Sequence, residues 1–433
     1  MRPLTRGSRF VVPVGLALSL VTACGGGDSG GSGEQGGAPS PTGGGKSTSA
    51  AVKSYDPPLK FEDLPGYDVA GGVSDGNWSA ELKGTTAYAV SDEEVRAVSV
   101  LDGEPLWSVT AQGPIDGDTD YPTDTTGGPH FVEIDGQSAV LAAFSVIESG
   151  SGTTPSRHLV ELTAVAAESG ERLWTTTIER PEGQEEGDPY LAGADSGTAV
   201  LTFGSERDAT TIGVSFLTHK TAWTEKGFHA SFVDSGIAVG RGGADSFVDG
   251  GATVEGHRLG DGGKAWTYKD RLNKAELSPV GGGLFTAVVD APLEEESTVA
   301  ALLATSTGKQ PAGLLATKAL GRPDDLSCWF DDRSAVVCEV RKKYDDRVVA
   351  LDPESWTELW AIDGDDETRL MPAVSTVFHG SVYGETANGF VALDARTGED
   401  KASAPGDAPF AVNEYAGLFP TSVGTIEAHR AVG

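Results

Sequence analysis

Few groupings in this 433-residue chain combine the residue types and spacing that chemistry requires. The seven histidines, at positions 130, 158, 219, 229, 257, 379 and 429, form no HxH or HExxH pair. They read as loop or surface residues rather than metal ligands. Asp116-Gly117-Asp118-Thr119-Asp120 begins like a calcium loop. Its sixth residue, however, is Tyr121 where the turn needs glycine, and its twelfth is Gly127 where a glutamate would complete the shell. Asp363-Gly364-Asp365-Asp366-Glu367 reads the same way, as a solvated acidic loop. Gly27-Asp28-Ser29-Gly30-Gly31 matches a nucleophile elbow without a flanking strand or helix to shape it. Gly45-Lys46-Ser47 matches the end of a phosphate loop, yet Ser40 stands where its first glycine belongs. No catalytic residue, metal ligand or cofactor is assigned from these groups.

The formal charge is −32, and it becomes −35 once a leader carrying Arg2, Arg6 and Arg9 is removed. Nucleic acid is thereby excluded as a partner, because phosphate backbones need clustered Lys and Arg. Anionic headgroups are repelled for the same reason. Only 7% of residues are aromatic, and 59 are glycine. Such a balance suits many short strands joined by glycine turns.

The elements that would position any site begin with an address. Three arginines precede the apolar run Phe10–Leu20, which is too short to span a bilayer and fits the core of a signal peptide. Val21-Thr22-Ala23-Cys24 follows and resembles the lipobox of bacterial lipoproteins. Residues 1–23 are expected to be a cleaved leader, with acylation (palmitate and diacylglycerol) at Cys24 anchoring the chain to the extracytoplasmic face of the cell membrane. Residues 24–55 then form a flexible tether, rich in Gly, Ser and Pro, with a coil span of roughly 30 Å. An ordinary cleaved signal with a chance cysteine is the alternative.

From about residue 60 one pattern recurs: a β-rich run, a polar turn, then a strand opening on tryptophan. Clear copies are Ala350-Leu351-Asp352-Pro353-Glu354-Ser355-Trp356-Thr357-Glu358-Leu359-Trp360, Ala392–Ala402 and Ala164–Trp174. Degenerate copies end at Trp107, Trp223, Trp266 and Ala312, with end points 42 to 67 residues apart. Five of the eight tryptophans share one position, so chance is a poor explanation. Each copy reads as a hairpin between the third and fourth strands of a four-stranded sheet. Runs such as Ala139–Phe144 are apolar on both faces and need sheets on either side of them. Radial stacking about an axis supplies those sheets.

The pattern A-L-D-x-x-T-G-x-x-x-W is similar to the pyrroloquinoline-quinone-type (PQQ-like) repeat of quinoprotein alcohol dehydrogenases and related propellers. The resemblance implies an all-β propeller over residues 56–433, with Trp107, Trp174, Trp223, Trp266 and Trp360 packed between neighbouring blades. Ala312 and Ala402 depart from the pattern, so packing there must be made differently. The same resemblance implies adjacent cysteines, a calcium site and a catalytic aspartate in the enzymes, and no two cysteines are adjacent here. The fold carries over and the activity does not follow. A lipoprotein scaffold of outer-membrane protein assembly shares this layout.

Seven repeat turns are visible. Strands expected at Ala408–Val412, Glu414–Phe419 and Gly424–Ala431 lack a fourth, which Leu59–Val69 can supply. This predicts eight four-stranded blades with a period near 47 residues, seven being the alternative, and both termini in one sheet. Cys328 and Cys338 flank the polar turn Asp331–Ser334 on adjacent strands and are expected to form a disulfide. The functional expectation is a non-catalytic, membrane-anchored binding or scaffolding propeller. Its partners would be other envelope proteins or an unknown ligand on one face, with the acidic insertion Gly113–Gly128 the first loop to test. Alternatives are a quinone-dependent dehydrogenase and a propeller sensing a small ligand.

Overall fold

A computed structural model describes residues 52–63, 66–71, 78–116, 128–184, 189–204, 208–243, 251–272, 274–290, 298–342, 345–421 and 425–433. Cys24, with the expected leader and the expected tether as far as residue 51, lies outside them. Residues Val52–Gly433 form one compact unit.

Its strands group into eight antiparallel sheets in chain order. Blade 1 shows the plan: Ser79–Lys83, Thr86–Val90, Glu94–Ser99 and Pro105–Thr110, each paired with the next. Blades 2 to 7 follow over 130–179, 190–226, 228–272, 274–317, 325–363 and 373–404. Blade 8 takes Ala411–Val412, Ala416–Pro420 and Ile426–Arg430, and its fourth strand is Tyr67–Asp68 from the other end of the chain. First strands of successive blades touch one another from blade 2 round to blade 1, so they line the axis. The expected eight-bladed propeller closed by its two termini is what the chain forms.

Each sheet has two apolar faces and divides them between its neighbours. In blade 2, Val140, Ala142 and Phe144 join the cluster shared with blade 1, whereas Leu141 and Ala143 join the cluster shared with blade 3. This period of two is the signature of a strand buried on both sides. Among the described residues, eight such clusters occupy the eight seams, including the one between blades 8 and 1. The core is therefore a ring of seams.

The repeated tryptophan sits on the outermost strand and reaches into the next blade. Trp107, Trp223, Trp266 and Trp360 donate their indole N–H to Ala167, Leu259, Thr305 and Ala395 O at 2.6 to 3.0 Å. Against each ring lies the glycine of the neighbouring blade's turn. Gly170 has φ +71°, and a Cβ there would stand 2.5 Å from Trp107 Cγ. Gly398 repeats this on Trp360. Glycine is needed twice over, for its backbone and for its missing side chain.

Four seams depart from the plan, the closing one between blades 8 and 1 by setting Tyr67 instead of a tryptophan against Gly103. Between blades 2 and 3, His219 occupies the glycine position at φ +53° and stacks on Trp174, whose indole N–H has no acceptor. Between blades 5 and 6 the device is reversed. Ala312, expected to open a fourth strand, instead begins the short helix Ala312–Thr317, which takes that strand's place. Trp356 then stands at the glycine position of blade 6, at φ +60°, and lays its indole back on Gly313 of that helix. Between blades 7 and 8, Ala402 leaves room that Leu59, Phe61, Tyr383 and Phe390 fill.

Strand direction alternates, so first-to-second and third-to-fourth turns leave on one face, called here the turn face. Second-to-third turns and blade-to-blade connections leave on the opposite, connection face. Residues 52–63 strap onto the turn face. Tyr55 N–H donates to Glu414 O, and Asp56 pairs with Arg333 and with His379 Nδ1, the latter at 2.5 Å. Leu59 and Lys60 N–H both donate to Gly433 O, at 2.7 and 3.0 Å.

The seam geometry separates two conservative substitutions. Trp223→Phe removes a buried hydrogen bond and strands the Leu259 carbonyl, costing about 1–3 kcal/mol. Trp174→Phe removes an N–H that has no acceptor and is expected to cost less. Urea unfolding of the two variants side by side measures the difference, and equal losses would contradict the seam account.

Candidate interaction face

Blade 2 is built longer than its neighbours. Its second and third strands, Gln137–Glu148 and Arg157–Ala166, run 12 and 10 residues, against 6 each for Thr198–Phe203 and Thr210–Ser215 in blade 3. The ladder between them holds ten residue pairs against six, which extends the hairpin by about 13 Å toward the connection face. Its first strand, His130–Ile134, pairs only with residues 137–141. The remaining edge would be open, and an open edge invites unwanted pairing. The start of the acidic insertion covers it. Ile115 bridges Val146, Asp116 N–H donates to Ser145 O at 3.0 Å, and Ile147 N–H donates to Pro114 O at 2.9 Å.

Carboxylates fasten this stem. Glu161, 3% exposed, accepts the backbone N–H of Gln112 at 2.9 Å and of Gly113 at 3.0 Å. Arg172 lies 3.6 Å from the same carboxylate. Asp116 accepts from His158 Nδ1 at 2.5 Å, and Arg180, almost fully buried, approaches it at 3.6 Å while donating to Ser145 Oγ. At the hairpin tip Arg157 bridges Glu148 and Glu179, an exposed arrangement of small energetic weight. This geometry does positioning: it holds both strands and the insertion's stem in one rigid platform. Residues 117–127 of the insertion, with Asp118 and Asp120 of the calcium-like string, lie outside the described residues.

A second charged cluster lies in blade 4. Glu255 and His257 are 4% and 1% exposed. Burial works against ionising Glu255, but hydrogen bonds from His257 at 3.0 Å, Lys264 at 2.6 Å and Thr253 at 2.5 Å outweigh it and bring its pKa down to about 2. His257 Nδ1 meets Gly262 O at 2.8 Å, and the ring stacks on Phe228. Gly262 is the turn glycine that lies on Trp223, so the cluster holds a seam turn in place. Here the reading of the histidines as loop or surface residues is corrected. His257 and His429 are buried on strands, and among the seven only His219 and His379 sit in turns. Isolated histidines in alternating strands carry no spacing signal that distinguishes these cases.

Cys328 and Cys338 stand opposite each other on the first two strands of blade 6 and are disulfide-bonded. Both are buried in the seam with blade 5. The quinone implied by the repeat's resemblance does not fit this pair, which crosses two strands instead of joining neighbouring residues. Among the described residues, no group of three or more His, Cys, Asp or Glu side chains is placed to hold a metal ion. A cleft of about 490 Å³ lies between blades 6 and 7, with Arg369, Thr386, Asn388 and Phe390 in its wall.

No protein-family model matches the chain, and no curated protein matches it. Among solved structures, the chain is similar to three of low identity. The computationally designed Ika8 protein is 13% identical over 87% of this chain and all of its own, at a TM-score of 0.47. BamB from Moraxella catarrhalis is 15% identical over 86% of this chain and 97% of its own, at 0.44. The quinohemoprotein alcohol dehydrogenase of Comamonas testosteroni is 11% identical over 88% of this chain and 76% of its own, at 0.45.

Two outcomes follow from the carboxylates. Glu161→Ala is expected to speed amide hydrogen exchange at residues 112–116 selectively, since two backbone donors lose their acceptor; unchanged exchange would contradict the stem's attachment. Glu255 has a folded pKa below its ordinary value of 4.5, so its stabilisation is complete above about pH 4.5 and is lost as pH falls toward 2. Glu255→Gln is expected to cost on the order of 3 kcal/mol at pH 7 and to flatten that acid limb. Urea unfolding across pH 2–7 measures both.

Proposed function

We propose that this chain is a lipid-anchored, extracytoplasmic propeller that binds or scaffolds other envelope proteins through the connection face of blade 2, without catalysis. The observation that carries this reading is the lengthened hairpin with the insertion's stem bolted along its edge. Loops mounted on rigid scaffolds commonly serve binding, and a preorganised stem lowers the ordering cost of association. Anchoring through acylated Cys24 rests on the Val21–Cys24 lipobox and the preceding leader. The Cys328–Cys338 disulfide fits an oxidising compartment.

The cleft between blades 6 and 7 favours a second reading, a small-ligand sensor. Its lining mixes Ile362, Leu370 and Phe390 with Arg369, Thr386 and Asn388, which suits a compact amphipathic molecule. A thermal shift with cell-wall fragments or metabolites that Asn388→Trp abolishes would establish it.

Two measurements test the main proposal. Alkynyl-palmitate labelling in cells is expected to mark the chain and Cys24→Ser to lose both label and membrane association; a labelled serine variant would overturn the anchor. Affinity capture from gently solubilised membranes is expected to recover partner proteins that a chain lacking residues 117–127 fails to recover. Equal recovery would remove blade 2 as the contact.

A further inference from the structure

Two separate features share the turn face. The chain reaches the ring there: Tyr55 and Asp56 bond Glu414, His379 and Arg333, which lie in the first-to-second turns of blades 8, 7 and 6. These are the innermost turns, so the strap arrives close to the axis. The turn face also carries Leu217, at 91% the most exposed large apolar side chain among the described residues, on the third-to-fourth turn of blade 3. One exposed leucine is unremarkable by itself. Its position on the face by which the chain enters gives it a partner of stated chemistry.

We infer that the turn face is the lipid-apposed surface of the ring, resting near a zwitterionic bilayer with Leu217 at the contact, while the connection face and the blade 2 platform are directed outward. This rests on the reading of Cys24 as the anchor. Twenty-seven residues separate Cys24 from Val52, so a chain anchored at Cys24 enters the ring at the turn face, and that face of entry meets the surface before the opposite one. The charge of −35 on the processed chain excludes anionic attraction as the cause, so the tether and the apolar contact must supply the bias.

The test holds the chain from Gly25 onward, behind a hexahistidine tag, on phosphatidylcholine vesicles that contain nickel-chelating lipid and a headgroup acceptor dye. A donor dye is placed by Leu217→Cys or Lys220→Cys on the turn face, or by Thr153→Cys at the blade 2 tip. Cys328 and Cys338 are already bonded, so the introduced thiol alone takes the label. Energy transfer is expected to be at least twofold greater from 217 and from 220 than from 153. Equal or reversed transfer would overturn the orientation. Nickel holds this chain whether or not Cys24 accepts lipid, so such a failure leaves the lipoprotein reading to its own acyl-labelling test.

Discussion

The ring depends on one interaction: an indole laid across a seam onto the backbone of the next blade's turn, with its N–H bonded to a carbonyl three residues before the turn glycine. A lone four-stranded sheet with two apolar faces has no stable existence in water. Stacking removes the water, but apolar faces alone can slide. An indole buries a large area, and its hydrogen bond fixes where along the neighbour that area sits. Because Gly170, Gly262, Gly308 and Gly398 each lie against a ring from the preceding blade, four of the five repeat tryptophans are read by a glycine in another copy of the repeat, and Trp174 by His219 at the same position. The repeat is therefore a statement about neighbours rather than about single blades.

This explains how the ring tolerates its irregular copies. Between blades 5 and 6 no tryptophan comes from the outer side, since a helix replaces the fourth strand of blade 5. The next turn supplies Trp356 from the opposite direction, and Gly313 now receives it. The seam is filled by the same pair of residue types with their roles exchanged. At the closure between blades 8 and 1, Tyr67 takes the tryptophan's position and Gly103 receives its ring. Blade 8 has no third-to-fourth turn of its own, because its outer strand comes from the other end of the chain. That absence is what the strap of residues 52–63 makes good, by bonding Gly433 and filling the space beside Ala402.

Much of this was legible in the sequence because it repeats. Trp107 alone would have meant little; five tryptophans in register gave the seam position, and the missing fourth strand after Ala402 gave closure through Leu59–Val69. The exceptions were not legible. Ala312 was read as a strand start by its place in the repeat, but it opens a helix whose Gly313 lies under Trp356, forty-four residues after Ala312. The long strands of blade 2 were visible only as apolar runs, and nothing local marks Glu161 as the acceptor for Gln112 and Gly113. Likewise the Asp116–His158 pair joins residues forty-two apart that no motif links.

The same logic bears on where a partner could act. The seams consume both faces of every blade, so the ring offers the outside only its turns, connections and outer edges. A connection held merely at its two ends would be ordered at the expense of binding energy. The blade 2 insertion differs because its stem is already paired to a strand edge and capped by two buried carboxylates. Lengthening the hairpin exposed an edge, covering the edge required a stem, and the sequence that follows the stem holds Asp118, Asp120 and Asp124 with no lysine or arginine between Gly113 and Gly128. A partner docking there must bring its own cationic groups or exclude the acids from the contact, and that requirement is the chemical content of the binding proposal.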